Sequence, residues 1–570
     1  MEYALPMRPA RSRTLLLANT LTWLGTAGAC RRFMHAQSDP EGHQRATLRR
    51  ILSNQASSRY GLAHGFSRLQ NPDDYRAAVP VVDHDDLKPW IDAICRGEQR
   101  VLTADPVLML EKTSGSTAAS KYIPYTPSLR REFQVATSAW MHDLLRHRPA
   151  LRNLGSYWSI SPLAREREVT AGGLPVGFED DTQYFDPLER WILKQMMGVP
   201  MSVRDIASMR TNRYVTLRWL LNRDDLGLVS VWNPSFLTLL VEAAEIEGDR
   251  LARDLREGTL SPPDTLEPGL QARLEHGLVK RPKTAERIEH ALRDGYLLGT
   301  ELWPDLQLIS CWTDSVAALS LPTLRARFPQ VEIQGKGLLA TEGVVSIPLL
   351  GHPGAALALD SHFLEFLPEG ASATGTTRLV HELEAGQRYS VLLTTGGGLY
   401  RYALHDLIEV VGFLGPSPLV SFVGKARHIS DLVGEKLSAL RVGQVVEGAF
   451  DELGIRPSFA MLAPEWGQQP GYHLFVQWPD ATVEATEALA RRVERGLQEG
   501  HHYRYARDLG QLHEVRVVPV GADAPARYLA GCMELGQRPG DVKPTYLHAS
   551  CGWRERLLPA QVPAERGTRE

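Results

Sequence analysis

The sequence predicts an α/β protein with a large N-terminal part built on several sheets and a smaller α+β module at its C-terminus. Three observations carry that expectation. The chain has 570 residues, too many for one hydrophobic core. Around residues 305–349 the run DLQLISCWTDSVAAL, the helix-like LPTLRARF and the run VEIQGKGLLATEGVVSIPL alternate strand, helix and strand, as a parallel sheet with a right-handed crossover requires. Beyond residue 425 the composition shifts, and three strand patterns, FAMLAP, HLFVQW and EVRVVPV, surround one helical stretch, EATEALARRVERGLQ. The expected boundaries are a first domain over 1–425, a charged hinge at 426–428, the α+β module over 429–556 and a loose tail over 557–570.

Composition narrows the class. With 43% hydrophobic and 23% charged residues the chain is not a disordered one, and a net charge of -4 gives no reason to expect a nucleic-acid or membrane-surface partner. The five cysteines are scattered singly without a CxxC or Cys/His cluster, which suits reduced thiols in a cytoplasmic protein. Near the start, Arg11 and Arg13 precede LLLANTLTWLGTAGAC and imitate a secretory signal. Polar Asn19, Thr20 and Thr22 interrupt that run and more helix follows it, so a buried N-terminal helix is expected. No run reaches a membrane-spanning length.

In order, residues 14–56 read as two helices, the second opened by SDPE and carrying Leu48, Ile51 and Leu52 on one face. SRYGLAHGF reads as a glycine-punctuated turn, and residues 73–98 as short helix alternating with proline-broken strand. An apolar strand then runs into a hydroxyl-rich turn with a helix, TPSLRREFQVATSAWMHDLL, after it. YWSISPLA and LVSVWNPSFLTLLVEAAEI read as strand-like, and residues 255–300 as a polar, proline-marked helical excursion. TTGGGLYRYALHDLIEVVG reads as two strands joined by a tight turn at Leu404, His405 and Asp406.

Chemistry concentrates at residues 111–124, EKTSGSTAASKYIP. Thr113, Ser114, Gly115, Ser116 and Thr117 supply short donors and a flexible backbone, and Lys121 supplies a cation able to reach an anion lying across the loop. A polar surface turn is the plain alternative. Thr341 and Glu342 put a hydroxyl beside a carboxylate at a strand end, which suits Mg²⁺ bridging phosphates or, more simply, a helix cap. Asp406 can accept two hydrogen bonds from the vicinal hydroxyls of a ribose, or form an ordinary Asx turn. His405 beside it is a candidate base, an exposed turn histidine being the simpler reading. Tyr157, Trp158, Trp232 and Phe236 are candidates for an apolar pocket, core packing being the alternative for each. Lys543 lies in QRPGDVKPTYL, an extended proline-flanked loop.

These pieces stand in an order that resembles the adenylate-forming superfamily. TSGSTAASK resembles its phosphate loop, GLLATEG its Thr-Glu motif, LYRYALHDLIEVVGF its strand leading to a ribose-binding Asp, and GKARHISDLVGEKL its hinge into a mobile lid domain. Within it the chain is most similar to the plant auxin- and jasmonate-conjugating acyl acid-amido synthetases and their bacterial relatives, on SRYGLAHGF, AVPVVDHDDLKPWIDAICRGE, LYRYALHDLIEVVGF and the segment around Lys543. The resemblance spans roughly residues 45–550. It implies a large adenylation domain and a mobile lid, ATP and Mg²⁺ as cofactors, and a carboxylic acid and an amino-acid amine as partners. It implies that Ser114, Gly115, Ser116, Thr117 and Lys121 hold the ATP phosphates, Glu342 the metal with Thr341 on the nucleotide, and Asp406 the ribose. Leu338 would contact adenine, Lys543 would be the lid lysine at the α-phosphate, and Trp312 joins the acyl-pocket wall with Cys311 and Thr313.

The chain departs from the family pattern in three places. Ala118 replaces a second loop glycine, Leu338 replaces an adenine-stacking tyrosine, and Pro544 directly follows Lys543. An acyl-CoA ligase shares the first reaction and is the nearest rival. A catalytically silent nucleotide- or acid-binding protein is the rival of another class.

Overall fold

The computed structural model describes residues 13–113, 121–158, 168–177, 198–293, 295–371, 375–425, 429–430, 432–433, 435, 437–466, 470–478, 481–535, 537 and 542–558. Its backbone divides into two compact units. One comprises residues up to Asp314 with Ser320–Val423, the other Ser315–Leu319 with the residues from Gly424 on.

The N-terminal unit opens on helices α1 (Arg13–Ser38) and α2 (Pro40–Gln55), with Asp39 capping the second through the Gly42 amide and Pro40 filling its first turn. Asn19, which breaks the apolar run of α1, is only 2% exposed, and its amide donates to the carbonyls of Leu151, Arg152 and Leu154 at 3.3, 3.1 and 3.0 Å. A residue that spoils a signal sequence thus secures the helix to the body of the unit. Among the described residues no helix is long and apolar enough to cross a membrane. SRYGLAHGF is a short helix, α3 (Arg59–Ala63), capped by Ser58, where a turn is expected. In the next stretch α4 (Pro72–Ala78) and α5 (His84–Cys95) form as helices, and the expected strand shrinks to one bridge from Val82 to Tyr402. Four cap hydrogen bonds, two accepted by the Asn71 side chain from the amides of Asp73 and Asp74 and two by Asp83 from those of Asp85 and Asp86, favour the helices over any extended run.

Strands β1 (Met109–Thr113) and β2 (Lys121–Tyr125) pair as an antiparallel hairpin before helix α6 (Pro127–His147). The hydroxyl-rich loop therefore connects two strands, a correction to the expected strand-loop-helix order. Tyr122 and Ile123, good strand formers, carry the chain back along β1 before Thr126 caps the helix. Next come β3 (Gly155–Trp158), β4 (Glu168–Val169), β5 (Pro175–Val176), β6 (Leu226–Ser230), β7 (Leu308–Ser310) and β8 (Glu332–Gln334). Strands β3-β6-β7-β8 form an all-parallel sheet, as the alternation predicts for β7 and β8. From Ser235 onward the expected strand after Ser230 is a helix, Ser235–Ile246, because Asn233-Pro234 turns the chain and the apolar positions then recur at helical spacing.

Hairpin β9 (Leu339–Ala340) and β10 (Gly343–Val344) leads into a second sheet made of β11 (Ser346–Pro348), β12 (Ala355–Leu357), β13 (Phe363–Pro368), β14 (Arg388–Thr394), β15 (Tyr402–Leu414) and β16 (Ser417–Lys425). Its order is β11-β12-β16-β15-β14-β13. Helix α6 contributes Ala136, Ala139 and Trp140 to an apolar cluster shared with Leu228 and Leu308 of the parallel sheet and Ile347, Ala356 and Leu419 of the antiparallel one. In the C-terminal unit, helix Ala439–Leu453 and helix Val483–Gln498 accompany β19 (Ala460–Glu465), β20 (Gly471–Gln477) and β21 (Arg516–Val520), after a two-stranded pair β17 (Ile429–Ser430) and β18 (Leu437–Ser438). The expected hinge at 426–428 lies outside the described residues, as does most of the expected tail.

One buried ion cluster fixes the start of β15. Glu365, fully buried on β13, accepts from Arg401 Nε and a terminal Arg401 nitrogen at 3.0 and 3.1 Å, from Arg76 Nε at 3.1 Å and from Thr377 at 2.7 Å. Arg401 adds bonds to the carbonyls of Arg76 and Val79. Removing the carboxylate strands the buried Arg401 guanidinium and leaves the partly buried Arg76 one without that partner. Glu365→Ala should therefore cost about 3–5 kcal/mol in urea unfolding, while an exposed control such as Glu499→Ala moves the midpoint little; a near-neutral Glu365→Ala would mean the cluster does not hold β15.

Candidate active site

Arg401 has φ 47° and His405 φ 58°, two left-handed residues four positions apart at the start of one strand. Between Ser390↔Leu407 and Leu392↔Ala403 the register slips, so Val391 alone faces Leu404, His405 and Asp406. The expected tight turn at these residues is instead a bulge inside a continuous strand. Its cause is that Leu407, Ile408 and Val410 resume the apolar alternation and keep pairing with β14. The bulge places Asp406 at 4% exposure, next to half-buried His405.

Three separately read segments meet around Tyr402. Its phenol is held well above the ordinary range by burial first and then by the carboxylates of Glu342, Asp83, Asp406 and Asp85. Glu342 and Asp406, 64 positions apart in sequence, thus act on one hydroxyl. The Val82 bridge brings in Asp83 and Asp85, since Ala403 N donates to Val82 O at 2.8 Å and Val82 N to Arg401 O at 3.2 Å. Asp83 is the cap of α5, and its neighbour His84 is held below its usual pKa by burial and then by the Lys121 ammonium. Lys121 sits opposite Thr113, where the β1-β2 hairpin opens.

Thr341 and Glu342 form the two-residue turn of the β9-β10 hairpin, both partly exposed. Gly337 makes the approach possible: it has φ 67°, and a Cβ there would come within 2.5 Å of the Ser346 carbonyl oxygen. Leu338 follows it, with its amide donating to Ser346 Oγ at 3.0 Å and its side chain buried in the core. Ser114, Gly115, Ser116 and Thr117 lie outside the described residues. The structure thus brings together Lys121, Thr341, Glu342 and Asp406 on the Tyr402 side of the N-terminal unit. Lys543, in the C-terminal unit, is exposed, and its carbonyl accepts from the Tyr528 hydroxyl at 2.8 Å.

Two features bear on whether a nucleotide with a divalent ion could be held here. Buried His84 Nε2 has no hydrogen-bond partner among the described residues, beside the one loop cation described. Those residues hold no group of three or more His, Cys, Asp or Glu side chains arranged for a metal, so an ion at Glu342 would take its other ligands from phosphate and water.

A second cluster lies at the carboxyl ends of the parallel strands. In register, Trp158, Ser230, Ser310 and Gln334 stand side by side on one face, and Tyr157, Val229, Ile309 and Ile333 on the other. On the first face Trp158 meets Trp140 edge-on at 5.5 Å, and Trp232 meets Trp312 at 5.5 Å. Phe236, grouped with them from the sequence, instead stacks on Tyr157 at 6.1 Å in the core of the opposite face. Sequence reading missed two members, Trp140 on α6 and Lys336. A lysine between two glycines directly after an apolar strand was the available signal for the second.

Comparison with known proteins adds the family context. A model of the GH3 family N-terminal domain matches residues 29–333, and a model of the GH3 family central domain matches residues 355–425. A jasmonoyl–L-amino acid synthetase of Nicotiana attenuata is 24% identical over 72% of this chain and 73% of its own length. An indole-3-acetic acid-amido synthetase of Oryza sativa subsp. indica is 24% identical over 84% of each. The structure of an acyl acid amido synthetase, GH3.15, in complex with 2,4-DB superposes with a TM-score of 0.79 at 19% identity, covering 95% of both chains, so the two share a fold.

The closeness of Lys121 to His84 has a direct spectroscopic consequence. In Lys121→Met the His84 pKa, followed by NMR titration of its ring protons, should rise while staying below the ordinary histidine value, because burial remains; an unchanged His84 titration would place the ammonium elsewhere.

Proposed function

Because this chain belongs to the GH3 family, we propose that it is an ATP-dependent acyl acid-amido synthetase, a ligase that activates a carboxylic acid as its acyl-AMP and passes the acyl group to an amine, an amino acid by analogy with the relatives' names. The observation that carries this reading is that Glu342 and Asp406 act on the one Tyr402 hydroxyl together with Asp83 and Asp85, while the Lys121 ammonium acts on His84, which lies between those two aspartates in the chain.

A carboxylate does not react with an amine at neutral pH, because its oxygen is a poor leaving group. In the first half-reaction a carboxylate oxygen bonds to the α-phosphorus of ATP, the bond to the β-phosphate breaks, and pyrophosphate leaves. Two anions must approach each other, and fixed positive charge in a poorly hydrated cleft lowers that barrier. Residues 114–117 and Lys121 would hold the phosphates, Glu342 a Mg²⁺ ion with Thr341 beside it, and Asp406 the ribose hydroxyls. Bound there, the ion would neutralise phosphate charge. Leu338, buried in the core, offers adenine an aliphatic edge at most. Lys543 is assigned as the cation at the α-phosphate, supplied by a mobile C-terminal lid that turns about residues 426–428 between the two half-reactions. In the second, the amine nitrogen bonds to the acyl carbon, the carbon–oxygen bond to AMP breaks, and the nitrogen loses a proton. We place this chemistry in the cytoplasm, where ATP is abundant and the five unpaired cysteines would stay reduced.

The test is acid-dependent exchange of labelled pyrophosphate into ATP, with a panel of carboxylic acids and hydroxylamine as the trap, followed by amino acids and CoA as acceptors. Exchange that needs an acid, with amino acids and not CoA consumed, is expected; none with any acid would leave only a nucleotide- or acid-binding role. Lys543→Ala should slow exchange by roughly a hundredfold or more with ATP affinity nearly unchanged, and normal exchange by that variant would remove Lys543 from the mechanism.

A further inference from the structure

Lys336 is the most unusual charge in the N-terminal unit. It lies between β8 and β9, is 7% exposed, and donates to Ser230 Oγ at 2.7 Å with Ser310 Oγ at 3.5 Å. Its ammonium faces the Trp232 ring at 5.0 Å and the Trp140 ring at 5.9 Å. No carboxylate pairs with it among the described residues, and burial pushes its pKa down to about 8. A cation buried against two hydroxyls and two indole faces is under-compensated, so the site gains whenever an anion enters.

The surroundings say what kind of anion. Trp140 Nε1 is already committed to Gln334 Oε1 at 3.0 Å and Trp158 Nε1 to Ser156 Oγ at 3.1 Å, so these indoles offer ring surface and not donors. Trp232 is 38% exposed and leans on Trp312, so the cluster is open at that end. All of it stands at the carboxyl ends of parallel strands, where α/β sheets take their ligands. Planar faces with one cation between them suit a flat ring carrying negative charge.

Resting on the acid-activating reading above, we propose that Lys336 selects among planar carboxylic acids those with a second anionic group, taking that group's charge while Trp232 and Trp140 hold the ring. The reacting carboxylate is the wrong partner for it. An ammonium seated on that oxygen would withdraw the electrons that must attack phosphorus, whereas a charge held at the far end of the ring only orients the substrate.

Binding without ATP separates this assignment from the activity. Benzoate and isophthalate, the first with one carboxylate and the second with two, are titrated against tryptophan fluorescence in the whole protein, in Lys336→Met and in Lys336→Gln, the latter keeping a donor for Ser230. Isophthalate should bind the native protein about tenfold or more tightly than benzoate, with the ratio falling close to one in both variants and benzoate affinity little changed. An equal preference in native protein and variants, or a loss of benzoate binding with the preference intact, overturns the proposal. Pyrophosphate exchange on the same samples judges the other reading: a Lys336-dependent preference with no exchange sinks acid activation and leaves the anion site standing.

Discussion

Everything on the Tyr402 side of the N-terminal unit depends on where β15 begins, and the Glu365 carboxylate decides that. Two guanidinium groups, Arg401 buried and Arg76 partly so, converge on it, and each also donates to carbonyls, Arg76 to that of Thr377 and Arg401 to those of Arg76 and Val79. Held this way, Arg401 tolerates a left-handed backbone, and its amide turns to the Thr394 hydroxyl at 3.0 Å. The next residue is Tyr402, and four further on the bulge presents Asp406. The ion cluster fixes a geometry more than it adds stability, since apolar replacements of such clusters are often no less stable.

The TTGGG segment ahead of β15 is secured independently. Glu132 of α6 accepts the Gly396 amide at 3.0 Å on both oxygens, and Gln55 of α2 donates to the Gly396 carbonyl at 3.1 Å. Gly398 has φ 100°, and a Cβ there would meet Leu102 at 2.9 Å. Side chains from three distant helical and loop segments therefore set one short stretch of backbone, which keeps the neighbouring strand from slipping in register.

Sequence reading recovered what depends on local pattern. The two N-terminal helices, the parallel order of β7 and β8, the Thr341–Glu342 turn and the C-terminal α+β module each follow from periodicity or cap residues within a short window. It missed what depends on distant partners. The bulge at His405 cannot be seen without the register of β14, because Leu404-His405-Asp406 is as plausible a turn as it is an interruption. Phe236 and Trp158 look alike as apolar residues, yet the pleat of β3 sends Tyr157 and Trp158 to opposite faces and Phe236 follows Tyr157. Lys336 drew no reading of its own because its environment comes from Ser230, Ser310, Trp140 and Trp232, up to 196 positions upstream in the chain.

The proposed reaction assigns a definite fate to one oxygen atom. If the acid attacks phosphorus and the amine later attacks carbon, an acid with both carboxylate oxygens replaced by ¹⁸O must leave one of them on AMP and keep the other in the amide. Mass spectrometry of AMP and product after a single turnover reads this directly. One heavy oxygen in AMP is the result that acyl-adenylate formation requires. Unlabelled AMP with the heavy oxygen in pyrophosphate, ADP with the heavy oxygen in inorganic phosphate, or nucleotide cleavage with both heavy oxygens still on the acid would contradict it.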